Sequence, residues 1–211
     1  MDNWLKYEIS LFEIEVFISI LYFIYQGVDY AIYEVGLGEL DATNIILPMV
    51  CVNTNIGLDH MDYLGDSYES IARAKAGIIK DHVDFITGEH KQECVDIFRD
   101  TCEKRHSHLI RLDRIHDLQD GENVKYTYKD YNIVLNTPAL YQIENSALAL
   151  ETLLYLKKHH FIELDESSIV EGLFEAKWAG RFEIISEKPL IILDGAHNRE
   201  GVDELYRSAR K

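Results

Sequence analysis

The chain has 211 residues, 47% hydrophobic and 27% charged, which suits one sizeable core, or one domain and part of another. Its formal net charge is -16, and no cluster of Lys and Arg is available to neutralise a phosphate backbone, so nucleic acid is excluded as a partner. Anionic nucleotides stay open to it, through a divalent cation and a few local bases.

In chain order, residues 11–25 (LFEIEVFISILYFIY) are strongly apolar, yet they carry Glu13 and Glu15 and are too short to span a bilayer. No basic start or small-residue cleavage site marks a signal peptide. The stretch predicts a core helix in a cytoplasmic protein with no membrane partner. Cys51, Cys94 and Cys102 form no CxxC pair and leave an odd one over, as a reducing compartment allows. Cys94 and Cys102 fall on a predicted helix, where they are expected to pack as small apolar residues.

Residues 28–35, between Gly27 and Gly36, read as a strand buried on both faces, and residues 45–56 (IILPMVCVNTNI) as a second, with Pro48 at its entrance. After the polar loop GLDHMDYLGDS, a helix is predicted over 67–77, opened by Asp66 or Ser67 and closed by Gly77. VDFITG predicts a strand, residues 91–105 a helix, and LIRL another strand. VKYTYKDYNIVL alternates on both sides of Lys129–Asp130 and predicts a hairpin. A long helix includes residues 148–156, Asp165 opens the next, FEII and LIILD are strands around Lys188–Pro189, and residues 200–210 close the chain as a helix.

Strands alternating with helices at these lengths predict an α/β fold with a mainly parallel sheet and flanking helices. Ligands collect at the carboxyl ends of such strands, where the loops 36–44, 57–65 and 195–198 would converge. Nothing matches GxxxxGK[ST], and GLGELD lacks the third glycine of a dinucleotide fingerprint, which excludes a Rossmann cofactor site.

Several side chains then stand out, each with two readings. Glu34, in an apolar strand, is a metal ligand or an acid satisfied by local amides. His60, between Asp59 and Asp62, is a ligand or a solvated loop residue; magnesium takes mostly oxygen donors. Lys75 either meets the C-terminal dipole of its helix or acts as a desolvated amine. Asp194, Gly195, His197 and Asn198 end a strand as a site or as a solvated turn. Arg181 binds phosphate through its forked donors or lies on the surface beside Trp178.

Taken together and in order, EVGLGELDATN, NTNIGLDHMDYLGDSYESIARAKAGIIK, YQIENSALAL, WAGRFEII and ILDGAHN resemble the folylpolyglutamate synthase/dihydrofolate synthase family, within the ATP-dependent Mur-ligase superfamily. The resemblance runs from about Leu11 to Asn198. It implies a central ATPase domain over residues 1–182, the start of a Rossmann-like ligase domain over 183–211, and a site in the cleft between them. It implies ATP, Mg2+, glutamate and a folate or dihydropteroate as the small-molecule partners, joined through an acyl phosphate in one-carbon metabolism. Glu34 and His60 match magnesium ligands, and Lys75 matches the lysine these enzymes carry as a carbamate. Asn145 and Arg181 match nucleotide contacts, and Asp194 and His197 match nucleotide-side residues of the second domain, His197 being taken with Lys75 as catalytic.

The resemblance also sets the glycine turn in context: it would face a magnesium–nucleotide site. The family's phosphate loop would lie upstream of Leu11, on a missing N-terminal segment or a second chain, and the chain would be truncated at both ends. The family's GLGGRLDATN is here GLGELDATN, one residue shorter, with Glu39 adding negative charge where an anion should approach; EKAGI is AKAGI, with Ala74 beside Lys75. The expectation is little or no ligase turnover from these 211 residues alone. A non-catalytic α/β binding or interaction domain, or another Mur-type amide ligase, are the alternatives.

Overall fold

A computed structural model describes residues 9–59 and 61–210. The first helix, α1 (Leu11–Gln26), begins at a capping box: Ser10 Oγ accepts from the Glu13 amide and Glu13 reaches back to the Ser10 amide. It ends at Gly27, whose φ of 62° suits a residue without Cβ. The helix forms as predicted, but it is not a core helix. Val16 is its one buried residue among those described, while Phe17, Ile18, Leu21 and Ile24 are exposed.

Two predicted strands also change. Residues 28–35 form no regular element and pair with no strand among the described residues, and Ile32 is 95% exposed. Residues 45–56 supply only β1 (Cys51–Asn53). The cause is local: the Asp41 carboxylate accepts from the Thr43 amide and caps a 3-10 turn that takes up 42–45, and Pro48 has no N–H to offer a ladder. β1 is an edge strand with Val52 half exposed, so it is not buried on both faces.

The next elements follow the sequence pattern: α2 (Met61–Leu64), α3 (Tyr68–Ala76), β2 (Phe85–Thr87), α4 (Gln92–Lys104) and β3 (Leu109–Arg111). Ser67 caps α3 and Gly77 ends it. The three strands form a parallel sheet in the order β1-β2-β3, with Cys51 opposite Phe85 and Phe85 opposite Leu109. Ile71, Ala72, Cys94, Ile97 and Phe98 of α3 and α4 pack with Cys51 and Phe85 in the first core. All three cysteines are buried, and loss of solvation pushes the Cys94 and Cys102 thiols up to about 11, as expected of groups acting as small hydrophobes.

An antiparallel sheet follows, of β4 (Ile115–Gln119), β5 (Val124–Tyr128) and β6 (Tyr131–Leu135), the last two being the predicted hairpin. β4, which its sequence did not announce, breaks register between His116 and Gln119, with Asp117 at φ 51°. α5 (Gln142–Lys158) and α6 (Glu166–Glu175) close the second core over the inward side chains Val124, Tyr126, Tyr128 and Ile133. The chain ends with the antiparallel pair β7 (Glu183–Glu187) and β8 (Leu190–Leu193), then α7 (Arg199–Ala209). The fold is thus α/β, a parallel sheet with flanking helices, with two antiparallel sheets beside it. Among the described residues no helix is long and apolar enough to cross a membrane.

Candidate functional site

The carboxyl ends of β1 and β2, the C-terminal turn of α3, the start of α5 and the β8–α7 turn surround one cavity of about 900 Å³. Glu34, Lys75, Asn145, Arg181, Asp194 and His197 all line it. These six come from segments far apart in sequence and the fold brings them together. His60 lies outside the described residues.

Each arrives by a different local route. Glu34 sits at the end of the irregular segment 28–35 and is exposed to the cavity, so the cost expected for a buried carboxylate does not arise. Lys75 is in the last turn of α3, half-buried. Asn145 is on the first turn of α5, its amide donating to Gln142 Oε1 at 3.1 Å. The Arg181 guanidinium approaches Gly195 through Nη1, which a Cβ at that position would meet, so a glycine there leaves room for the cation against the turn. Trp178 itself is exposed.

Asp194 is held most firmly. Its Oδ2 accepts from Tyr141 Oη at 2.7 Å and from the Phe182 amide at 2.8 Å, and its Oδ1 accepts from the Ala196 amide at 2.8 Å. Partial burial alone would raise its pKa. The three donors, with Arg181 nearby, outweigh that and hold the carboxyl below its usual range. Tyr141 is pushed well above the ordinary tyrosine value, by burial first and then by its bond to this carboxylate. His197 Nδ1 lies 2.9 Å from the Gly195 carbonyl, and its Nε2 is 3.8 Å from Asp59 Oδ2. Asn198 caps α7 through Oδ1 and gives its side-chain amide to Asp59 Oδ2 at 2.9 Å.

The glycine turn divides its attention. Glu34, Val35 and Gly36 line the cavity, but the Gly36 and Leu37 amides donate to Asp41 Oδ2 at 2.9 and 3.2 Å. Gly38, at φ 72°, packs its bare Cα against the Ala74 carbonyl at the end of α3. Glu39 lies over Gly77 and is not among the residues lining the cavity.

Among the described residues no three His, Cys, Asp or Glu side chains cluster as a metal cage. Magnesium does not ask for one: it takes one or two carboxylates and fills its octahedron with phosphate and water oxygens. An open Glu34 carboxylate facing a nucleotide-sized cavity fits that donor set. Sequence reading passes over Tyr141, which precedes the QIENSA segment but reveals its partner only in space, and treats Asp59 only as a neighbour of His60.

The Mur ligase middle domain family matches residues 11–153. The dihydrofolate synthase/folylpolyglutamate synthase of Bacillus subtilis is 33% identical over 95% of this chain and 49% of its own length. Among solved structures, a complex of FPGS with AMPPCP and folate superposes at a TM-score of 0.88 with 32% identity, covering 96% of this chain and 52% of that one. The folylpolyglutamate synthase of Thermotoga maritima gives 0.79 at 36% identity, covering 95% and 48%. The chain spans about half the length of the curated relatives it matches.

Proposed function

This chain belongs to the folylpolyglutamate synthase/dihydrofolate synthase family of Mur ligases, and on that premise we propose that it serves the ATP-dependent addition of glutamate to a folate or dihydropteroate. In this reading residues 1–182 supply the central ATPase side of the cleft and residues 183–211 open the following ligase domain.

The reaction runs through an acyl phosphate. A carboxylate oxygen of the folate or pteroate attacks the γ-phosphorus of ATP, the bond to the bridging oxygen breaks, and ADP leaves with that electron pair. The glutamate amine attacks the acyl carbon, inorganic phosphate departs, and the nitrogen loses its proton to leave an amide. Glu34 and His60 would hold a magnesium ion, which would offset the charge on the phosphate oxygens. Lys75 gives up one proton to free its amine, which adds carbon dioxide at Nζ and gives up a second proton, leaving a carbamate that turns a cation into an anion lining the cavity. Arg181, beside Gly195 and lining the cavity, offers its fork to phosphate. Asn145 and Asp194 would contact the nucleotide, and His197, at the β8–α7 turn, lines the same cavity.

The observation that carries this reading is the convergence of Glu34, Lys75, Asn145, Arg181, Asp194 and His197 on one cavity. The test is calorimetric binding of AMPPCP with and without magnesium, for the chain and for Glu34→Ala, followed by ADP release with ATP, glutamate, bicarbonate and either acceptor. Magnesium-dependent binding weakened about tenfold or more by Glu34→Ala is expected. Binding indifferent to that substitution, or absent from a folded chain, overturns the reading. Binding without acceptor-dependent ADP release leaves these residues as a nucleotide-binding unit and not a working ligase.

A further inference from the structure

Glu89 is a charged residue only 2% exposed, one residue beyond the cavity-lining Gly88. A carboxylate so deep must be matched by donors, and it is. Oε2 accepts from the Ile56 amide at 2.5 Å, and Oε1 accepts from the His90 and Lys91 amides at 2.7 and 2.6 Å. Lys91 Nζ lies 3.6 Å from Oε1 and donates to the Ile56 carbonyl at 2.7 Å. One oxygen therefore holds the loop after β1, and the other holds the two amides that lead into α4, whose cap residue Lys91 makes no side-chain capping bond of its own.

The loop so held is the one that meets α7 across the cavity. Three residues past Ile56, Asp59 Oδ2 receives the Asn198 side-chain amide. One residue past it, Gly57 lies under the Glu200 carboxylate, which also receives the Tyr68 hydroxyl at 3.5 Å. Moving loop 54–59 would thus move the seat of the first turn of α7, and with it His197.

We propose that Glu89 is a positioning residue: its buried carboxylate fixes loop 54–59 at the height at which Asp59 and Gly57 seat α7 against the cavity. Glutamine keeps the shape of the side chain but puts an N–H2 where one oxygen stood, so a donor faces either the Ile56 amide or the His90 and Lys91 amides. One arm of the clamp must open.

Hydrogen exchange reads this without any ligand. In Glu89→Gln, exchange at 54–58 and at 198–203 is expected to quicken together by about tenfold or more. Glu151→Gln is the control. Glu151 is also a buried carboxylate, bonded to Tyr128 Oη at 2.7 Å and Lys129 Nζ at 2.5 Å, but in the second core. It is expected to lower the melting temperature while leaving both segments at wild-type rates relative to global unfolding. Should Glu89→Gln fail to fold, Lys91→Met removes the half-exposed arm of the same clamp and should shift the two segments in the same direction. Quickening confined to 54–58, or no change in either variant, overturns the proposal. A second readout rests on the nucleotide reading: AMPPCP affinity should fall about tenfold in Glu89→Gln and hold in Glu151→Gln. If the wild-type chain binds no AMPPCP, that reading fails, while the exchange experiment still decides the role of Glu89.

Discussion

At the scale of single residues, Asp41 organises the glycine turn. Partial burial works against its ionised form, but the Thr43 hydroxyl and amide and the Leu37 and Gly36 amides more than compensate, holding its pKa below the usual carboxylate value. A carboxyl depressed in the folded state contributes stability above its unfolded pKa of about 3.9, and that contribution is lost as pH falls through the lower folded value. Denaturant midpoints should therefore separate the wild type from Asp41→Asn at pH 6, with the gap closing below about pH 4. A gap unchanged at pH 3 would mean the turn does not depend on this charge. Such through-space partnerships explain what was legible at the site. Glu34, Lys75, Asn145, Arg181, Asp194 and His197 carry ordered motifs, so sequence alone named them. Tyr141 and Glu89 reach Asp194 and Ile56, both distant in sequence, and no local pattern announces that.

At the scale of elements, legibility followed local chemistry. α3, α6 and α7 start on Ser67, Asp165 and Asn198, each accepting an amide of its first turn, and all three helices were readable. The β5–β6 hairpin was readable from its alternation around Lys129–Asp130, and in the structure Lys129 takes φ 52° at the turn. Residues 28–35 were not, because an apolar run says only that a segment suits burial, whereas a strand needs a neighbour to pair with. Two glycines make the same point in opposite directions. At Gly38 a Cβ would both strain a positive φ and collide with the Ala74 carbonyl, one residue from Lys75. Gly172 lies inside α6, and a methyl group added there would meet nothing within 4 Å. Urea unfolding should find Gly38→Ala destabilised by more than about 1 kcal/mol, and Gly172→Ala stabilised by roughly 0.4–1 kcal/mol. Equal effects of one sign would show that the turn is not held against α3.

At the scale of the whole molecule, the two cores leave many large apolar side chains of the N-terminal segment exposed. Ile18 is 57% exposed, Leu21 50% and Ile24 71% on α1, and Ile32 and Leu47 follow at 95% and 75%. A helix rich in apolar residues normally buries them inside a structure, so this many exposed together is unusual for a monomer. The net charge of -16 opposes association through long-range repulsion, but it does not hide these side chains from a small amphiphile. The folded chain should therefore bind a hydrophobic dye while keeping a cooperative thermal transition. Ile18→Gln with Leu21→Gln should cut the dye signal and leave the melting temperature nearly unchanged, because surface substitutions of this kind fall within about 0.5 kcal/mol. The two observables separate the physical possibilities. A large fall in melting temperature would mean that these side chains are already buried in solution, by self-association or by a rearranged α1. Loss of dye binding at constant stability would mean that the folding energy resides in the two cores and that α1 adds little to it.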